Sequence, residues 1–177
     1  MKLFLVGFMA TGKTTIGKRL SSKLNLPFFD SDKEIELALG CSISEYFKTH
    51  EESKFRAIEE KIIIQKIKNN KDNNFVMSLV GGAFLNYNIR ELINCVGISI
   101  CLNGNIDIIY NRLIKSKNDR PLMVTFNTKE KLENLLKERR LYYQRADINV
   151  DIINTSKDNM SEIILNKIEE YISIKNG

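Results

Sequence analysis

The chain has 177 residues, with 27 Lys+Arg against 22 Asp+Glu for a formal charge of +5, 43% hydrophobic residues, 9 Gly and only 2 Pro. That is the composition of one ordinary globular domain, long enough to bury about 70% of the surface its unfolded form exposes, and it excludes collagen, coiled coil and disordered tail. No window approaches the roughly 18 uninterrupted apolar residues that span a bilayer, so no transmembrane helix is expected.

Taken in chain order, short apolar runs alternate with longer amphipathic ones. Strands are expected at Lys2–Val6, Pro27–Phe29, Phe75–Val80, Val96–Leu102 and Ile148–Ile152, from their length and their aromatic and branched content. Helices are expected at Lys13–Asn25, Asp32–Leu39, Glu51–Asn70, Asn86–Asn94, Ile106–Lys115, Lys129–Arg145 and Lys157–Ile174. Ser31-x-x-Glu34, Ser42-x-x-Glu45 and Thr49-x-x-Glu52 read as helix start signals of the capping-box type. Such alternation implies an α/β fold with helices on both faces of a mostly parallel sheet. Residues 1–177 show no repeat or linker that would divide them, so one domain is expected. Ser116–Thr125, SKNDRPLMVT, fits no element and reads as a loop or lid.

Lys2 followed by the apolar Leu3–Ala10 imitates a secretory signal, but Thr11-Gly12-Lys13 breaks the run and no small-x-small cleavage site follows. The expectation is a leaderless, cytoplasmic protein. Cys41, Cys95 and Cys101 are odd in number and at no metal or redox spacing, and His50 is the only histidine. Reduced, mostly buried thiols are expected, and Ser-His, Cys-His or His-metal chemistry is not. The positive charge favours anionic ligands. No run of adjacent Lys/Arg exceeds Arg139-Arg140 and no basic stripe is interleaved with aromatics, so no nucleic-acid partner is expected.

Gly7–Thr14 spell GFMATGKT, a full match to G-x-x-x-x-G-K-[ST] lying between an apolar strand and a helix. Polyphosphate needs convergent donors without steric bulk. Gly7 and Gly12 let backbone N–H groups turn inward, and the helix N-terminus adds partial positive charge. Lys13 reaches the outer phosphates, and the Thr14 hydroxyl suits Mg²⁺, which bridges phosphate oxygens. Binding of ATP or GTP follows, with Gly7, Ala10, Thr11, Gly12, Lys13, Thr14 and Thr15 as the nucleotide-binding residues.

The second strand runs into Asp30-Ser31-Asp32. Two carboxylates one residue apart can divide two tasks, one serving Mg²⁺ through its water shell and the other accepting a hydroxyl proton, or they can simply cap a helix. Glu52, Arg56 and Glu59 share one helical face and, taken alone, read as a solvated salt-bridge row. Gly81-Gly82 allow close approach to a ligand, though a plain turn explains them equally. Arg120, in Arg120-Pro121-Leu122, could fold over a transferring phosphoryl group.

In this order, GFMATGKTT, FFDSD, the Glu52–Glu59 pattern, GGA, RPL and an arginine four residues before Tyr143 resemble the shikimate kinase family over nearly the whole chain. The resemblance implies a three-layer P-loop kinase fold with a five-stranded parallel sheet in the order 2-3-1-4-5. It further implies a substrate-binding region at about 31–60 and a lid at about 113–125. The implied reaction moves the γ-phosphoryl of ATP, with Mg²⁺, to the 3-hydroxyl of shikimate on the route to chorismate and aromatic amino acids. Asp32 would be the base and Asp30 would serve the Mg²⁺ water shell with Thr14. Arg56 and Arg139 would clasp the shikimate carboxylate, with Gly81 and Gly82 contacting the substrate through their backbone. Lys13 and Arg120 would neutralise phosphate charge, Arg112 would stack on adenine, and a monomer is expected. Three positions depart from the family pattern: Ala83 stands where a third glycine is usual, Glu51 where a glycine is usual, and Asn154–Lys157 lack the usual proline. Two other readings stand beside this one, a related kinase acting on gluconate or a nucleotide, and a non-catalytic nucleotide- or RNA-binding P-loop protein.

Overall fold

The computed structural model describes residues 1–115, 128–152 and 156–177. Five strands, β1 (Lys2–Val6), β2 (Phe28–Asp30), β3 (Phe75–Ser78), β4 (Ile98–Asn103) and β5 (Ile148–Asp151), form one sheet in the order β2-β3-β1-β4-β5. Every pairing is parallel, with Phe4 opposite both Met77 of β3 and Ser99 of β4. The helices are α1 (Lys13–Leu24), α2 (Ser31–Leu39), α3 (Ile43–Thr49), α4 (Glu52–Asn69), α5 (Tyr87–Val96), α6 (Ile106–Lys115), α7 (Lys129–Tyr143) and α8 (Lys157–Asn176).

β1 shows why the order is stable. It lies mid-sheet, so both its faces are covered, and Leu3–Val6 are apolar without alternation. The pleat divides them: Leu3 and Leu5 join Ile16, Leu20, Ile164 and Ile168 of α1 and α8 on one face. Phe4 and Val6 join Ile63 and Ile67 of α4, Ile89 and Ile93 of α5, and Leu132 and Leu135 of α7 on the other. β5, at the edge, buries Ile148 and Val150 and exposes Asn149 and Asp151. A third, smaller core of Ile35, Tyr46 and Phe55 holds α2, α3 and α4 together beside β2.

Several boundaries differ from expectation. β2 is displaced by one residue because Asp30 is still extended, at φ −112° and ψ 114°, while its side chain caps α2. Val96 ends α5 instead of opening a strand, since Gly97 stops the helix and β4 begins at Ile98. Of the three start signals only Ser42 with Glu45 is a capping box, and it opens α3, a helix the periodicity alone does not resolve. Ser31 is instead fully buried and its hydroxyl accepts from the Val80 N–H at 2.7 Å. Thr49 closes α3, and Glu51 is the N-cap residue of α4. The cysteines are also less buried than expected: Cys101 is buried, Cys41 partly so, and Cys95 exposed. Among the described residues no helix is long and apolar enough to cross a membrane. The expected lid, Ser116–Thr125, lies outside the described residues apart from its approach through α6.

Candidate active site

The C-terminal ends of β1, β2 and β3 gather almost every predicted site residue. The bend after β1 is left-handed at three points, Gly7 (φ 130°), Ala10 (φ 59°) and Gly12 (φ 96°), which curls its backbone into a cup at the start of α1. Gly7 is required on two counts: its φ is unfavourable for a side chain, and a Cβ there would lie 2.7 Å from the Leu102 carbonyl oxygen. The Thr11 hydroxyl donates to the Phe8 carbonyl at 2.8 Å. Lys13 Nζ reaches back over the cup to the Gly7 and Phe8 carbonyls, each at 2.9 Å. Arg112, on α6, approaches from outside and donates to the Ala10 carbonyl at 3.1 Å. Thr15 is exposed in the first turn of α1.

Thr14 and Asp30 join this cup to the next strand. The Thr14 hydroxyl donates to Asp30 Oδ2 at 2.7 Å, while Asp30 Oδ1 accepts from the Asp32 N–H at 3.1 Å. Asp30 is therefore both a helix cap and a neighbour of the cradle, so the two readings of the DSD sequence are not exclusive. Its buried carboxylate and the Thr14 oxygen are hard donors of the type that suits Mg²⁺ with retained waters. Asp32, in the first turn of α2, is exposed.

Across from the cup, α4 and α7 supply cationic and acidic groups. Arg56 binds Glu52 Oε1 through Nε at 3.1 Å and Nη2 at 2.6 Å, and Glu59 Oε1 through Nη1 at 2.9 Å. This is only half a solvated row, since Glu59 is 1% exposed. It belongs to the inward stripe Phe55, Glu59, Ile63 and Ile67, at a spacing of four. Burial pushes the Glu59 carboxyl up to about 7, outweighing the pull of Arg56; Asp32 raises it further and Arg139 opposes. Glu59 thus senses acidic and basic groups from three helices. Composition and spacing mark it as an ion-pair partner, while Ile58, Ile62 and Ile64 put apolar residues on neighbouring faces of α4 and leave its direction open in the sequence.

The segment after β3 forms a shelf between these groups. Arg56 lies directly on Gly82, where a Cβ would meet its Nη1 at 2.5 Å and push the guanidinium from its present position. Gly81 faces the cup, since a Cβ there would be 3.5 Å from the Met9 nitrogen. Ala83 opens a single 3₁₀ turn, Ala83–Leu85, and is wholly buried in the main core, so its methyl does not enlarge the shelf. Arg139 of α7 is buried and its guanidinium carbon stands 5.9 Å from the centroid of Phe8, in the cup.

A family model described as shikimate kinase matches residues 9–172. The chain belongs to the shikimate kinase family. It is 38% identical over 170 residues to the shikimate kinase of Bartonella quintana, covering 96% of this chain and 79% of that relative. It is 36% identical over 175 residues to the enzyme of the same name from Thermoanaerobacter pseudethanolicus, covering 99% and 98%. Its fold superposes with a TM-score of 0.88 on the shikimate kinase of Acinetobacter baumannii in complex with shikimate, at 30% identity over 96% of this chain and 93% of that one. The P-loop kinase fold and strand order expected from the family resemblance are those observed. Two of the family-based expectations concern Arg120 and the stretch around Asn154, which lie outside the described residues.

Proposed function

We propose that this protein is a shikimate kinase, transferring the γ-phosphoryl group of ATP to the 3-hydroxyl of shikimate to yield shikimate 3-phosphate and ADP. The observation that carries the reading is the joining of two unlike surfaces at the C-terminal end of the sheet. A phosphate cup with Lys13 and Thr14 faces an acid-binding wall with Arg56, Arg139 and the Gly81–Gly82 shelf, and Asp32 stands on the helix between them.

ATP phosphates occupy the cup, where the N-terminus of α1 and the Lys13 ammonium offset their charge. Lys13 exchanges its contacts with the Gly7 and Phe8 carbonyls for phosphate oxygens. Thr14 and Asp30 hold Mg²⁺, Asp30 through water, and the ion supplies further charge neutralisation. We assign Arg112 to the adenine face, supported by its place on the outer rim of the cup, and Arg120 to the phosphates from the lid. Ala10, Thr11, Gly12 and Thr15 complete the nucleotide-binding set. Arg56 and Arg139 grip the shikimate carboxylate, because paired guanidinium forks match a planar anion. Asp32 takes the proton of the 3-hydroxyl as that oxygen bonds to the γ-phosphorus; the bond from phosphorus to the β–γ bridging oxygen breaks and its electron pair leaves with ADP. Positioning and charge neutralisation account for most of the acceleration in such transfers.

Purified protein with Mg²⁺-ATP and shikimate is expected to release ADP in a coupled assay. Asp32→Asn should lower kcat by about 10²–10⁴-fold, the usual contribution of a general base, while leaving ATP affinity within about twofold. Undiminished turnover in that variant would remove Asp32 from the mechanism, and no ADP release by the wild type would remove the function.

A further inference from the structure

Tyr143 has no part in the reading above, yet two components of the acid-binding wall meet at its hydroxyl. It lies on the last turn of α7, 2% exposed, with its ring in the main core. A buried phenol needs a partner for its O–H. Tyr143 donates to the carbonyl of Gly81. The Arg139 side chain, four residues earlier, shares this face of α7 and is buried with it, and its charge and hydrogen bonding favour the ionised phenol without overcoming burial. Gly81 in turn precedes the glycine on which Arg56 rests. One hydroxyl therefore links the backbone shelf to Arg139, and the shelf continues to Arg56.

We infer that Tyr143 is a positioning residue for the acceptor: its hydroxyl sets the distance between the Gly81–Gly82 shelf and the Arg139 guanidinium, and so the width of the carboxylate clamp. This rests on the assignment of Arg139 to the shikimate carboxylate. A bidentate fork is sensitive to small changes in direction, and a supporting group that leaves it loose by about 1 Å costs much of its benefit. The phenol, pushed up to about 12, keeps its proton throughout the neutral range, so this support is independent of pH there.

The test is Tyr143→Phe, which keeps the ring and removes one oxygen, assayed beside Arg139→Ala. KM for shikimate should rise about tenfold, the effect expected when support for a charged hydrogen bond is lost, with KM for ATP within about twofold and kcat within about threefold. With the carboxamide analogue of shikimate as acceptor, Tyr143→Phe should differ from wild type by less than about twofold, since no carboxylate is there to be clamped. A role confined to packing would raise both acceptor and ATP KM values together, or penalise acid and amide alike, and either result overturns the inference. Tyr143→Leu serves as a second variant with the same expected pattern, and urea midpoints identify any variant that does not fold. If Arg139→Ala raises KM for shikimate but neither Tyr143 variant does, the inference alone falls. If Arg139→Ala leaves that KM unchanged, the clamp and the inference fall together.

Discussion

Glu59 concentrates the electrostatics of the site in one side chain. Folding takes it out of water, and the 2.9 Å contact with Arg56 does not fully compensate, so its carboxyl titrates near 7 instead of its ordinary 4.5. A group whose folded pKa lies above its unfolded one holds its proton preferentially in the folded state. Its contribution to stability is therefore complete below about pH 4.5 and is lost as pH rises to about 7. Relative to Glu59→Gln, the wild type should lose stability progressively between pH 5 and 7 in urea unfolding and then level off; a difference independent of pH would show that Glu59 is ionised throughout. The residue also marks a limit of sequence reading. Its three- and four-residue spacing to Arg56 and Glu52 identifies the partners, but a helical period alone does not say which way the row faces.

The shelf after β3 carries one of the three departures from the family pattern. Ala83 stands where a third glycine is usual, and its methyl is directed into the core beneath the 3₁₀ turn. Ala83→Gly removes that buried methyl and adds backbone freedom to the unfolded chain, each worth on the order of 0.5–1 kcal/mol. The variant should be about 1–2 kcal/mol less stable in urea while KM for shikimate stays within about twofold. A large change in KM would show that the methyl does face the substrate. Nearby elements are tied down similarly: Asn86 caps α5 by accepting from the Ile89 N–H and donates to Glu60 of α4 at 2.8 Å, and the buried Arg90 donates to the Phe84 carbonyl at 2.9 Å. The Asn86–Glu60 bond joins residues 26 apart and leaves no trace in local propensity, and the neighbouring 3₁₀ turn is not expected from the sequence.

Across the whole molecule, the site lies where three parallel strands end and helices from both halves of the chain arrive. Ligand that binds only this assembled arrangement must stabilise it by mass action, by about 2.7 kcal/mol at a concentration of one hundred times Kd. For a chain of 177 residues this corresponds to a rise in Tm of roughly 5–10 °C with saturating shikimate. The rise should shrink markedly in Arg139→Ala, because the clamp residue proposed on α7 would then be missing. A full-sized rise in that variant would place the acid elsewhere.

The phosphate cup was legible because its chemistry is local: Gly7, Gly12, Lys13 and Thr14 lie within eight residues, and the turn, the helix start and the charge all follow from their covalent order. Alternating strands and helices likewise announced a parallel α/β sheet, since the part of a strand buried on both faces must be apolar, as Leu3–Val6 of β1 are. Resemblance to a family added the strand order and the acceptor. Only the tertiary structure decided which way Glu59 faces, that Ser31 binds the Val80 N–H instead of capping α2, and that the Tyr143 hydroxyl donates to the Gly81 carbonyl. Each of those depends on groups brought together from distant parts of the chain, and the free energy of burying or pairing them is set by neighbours that sequence separation does not reveal.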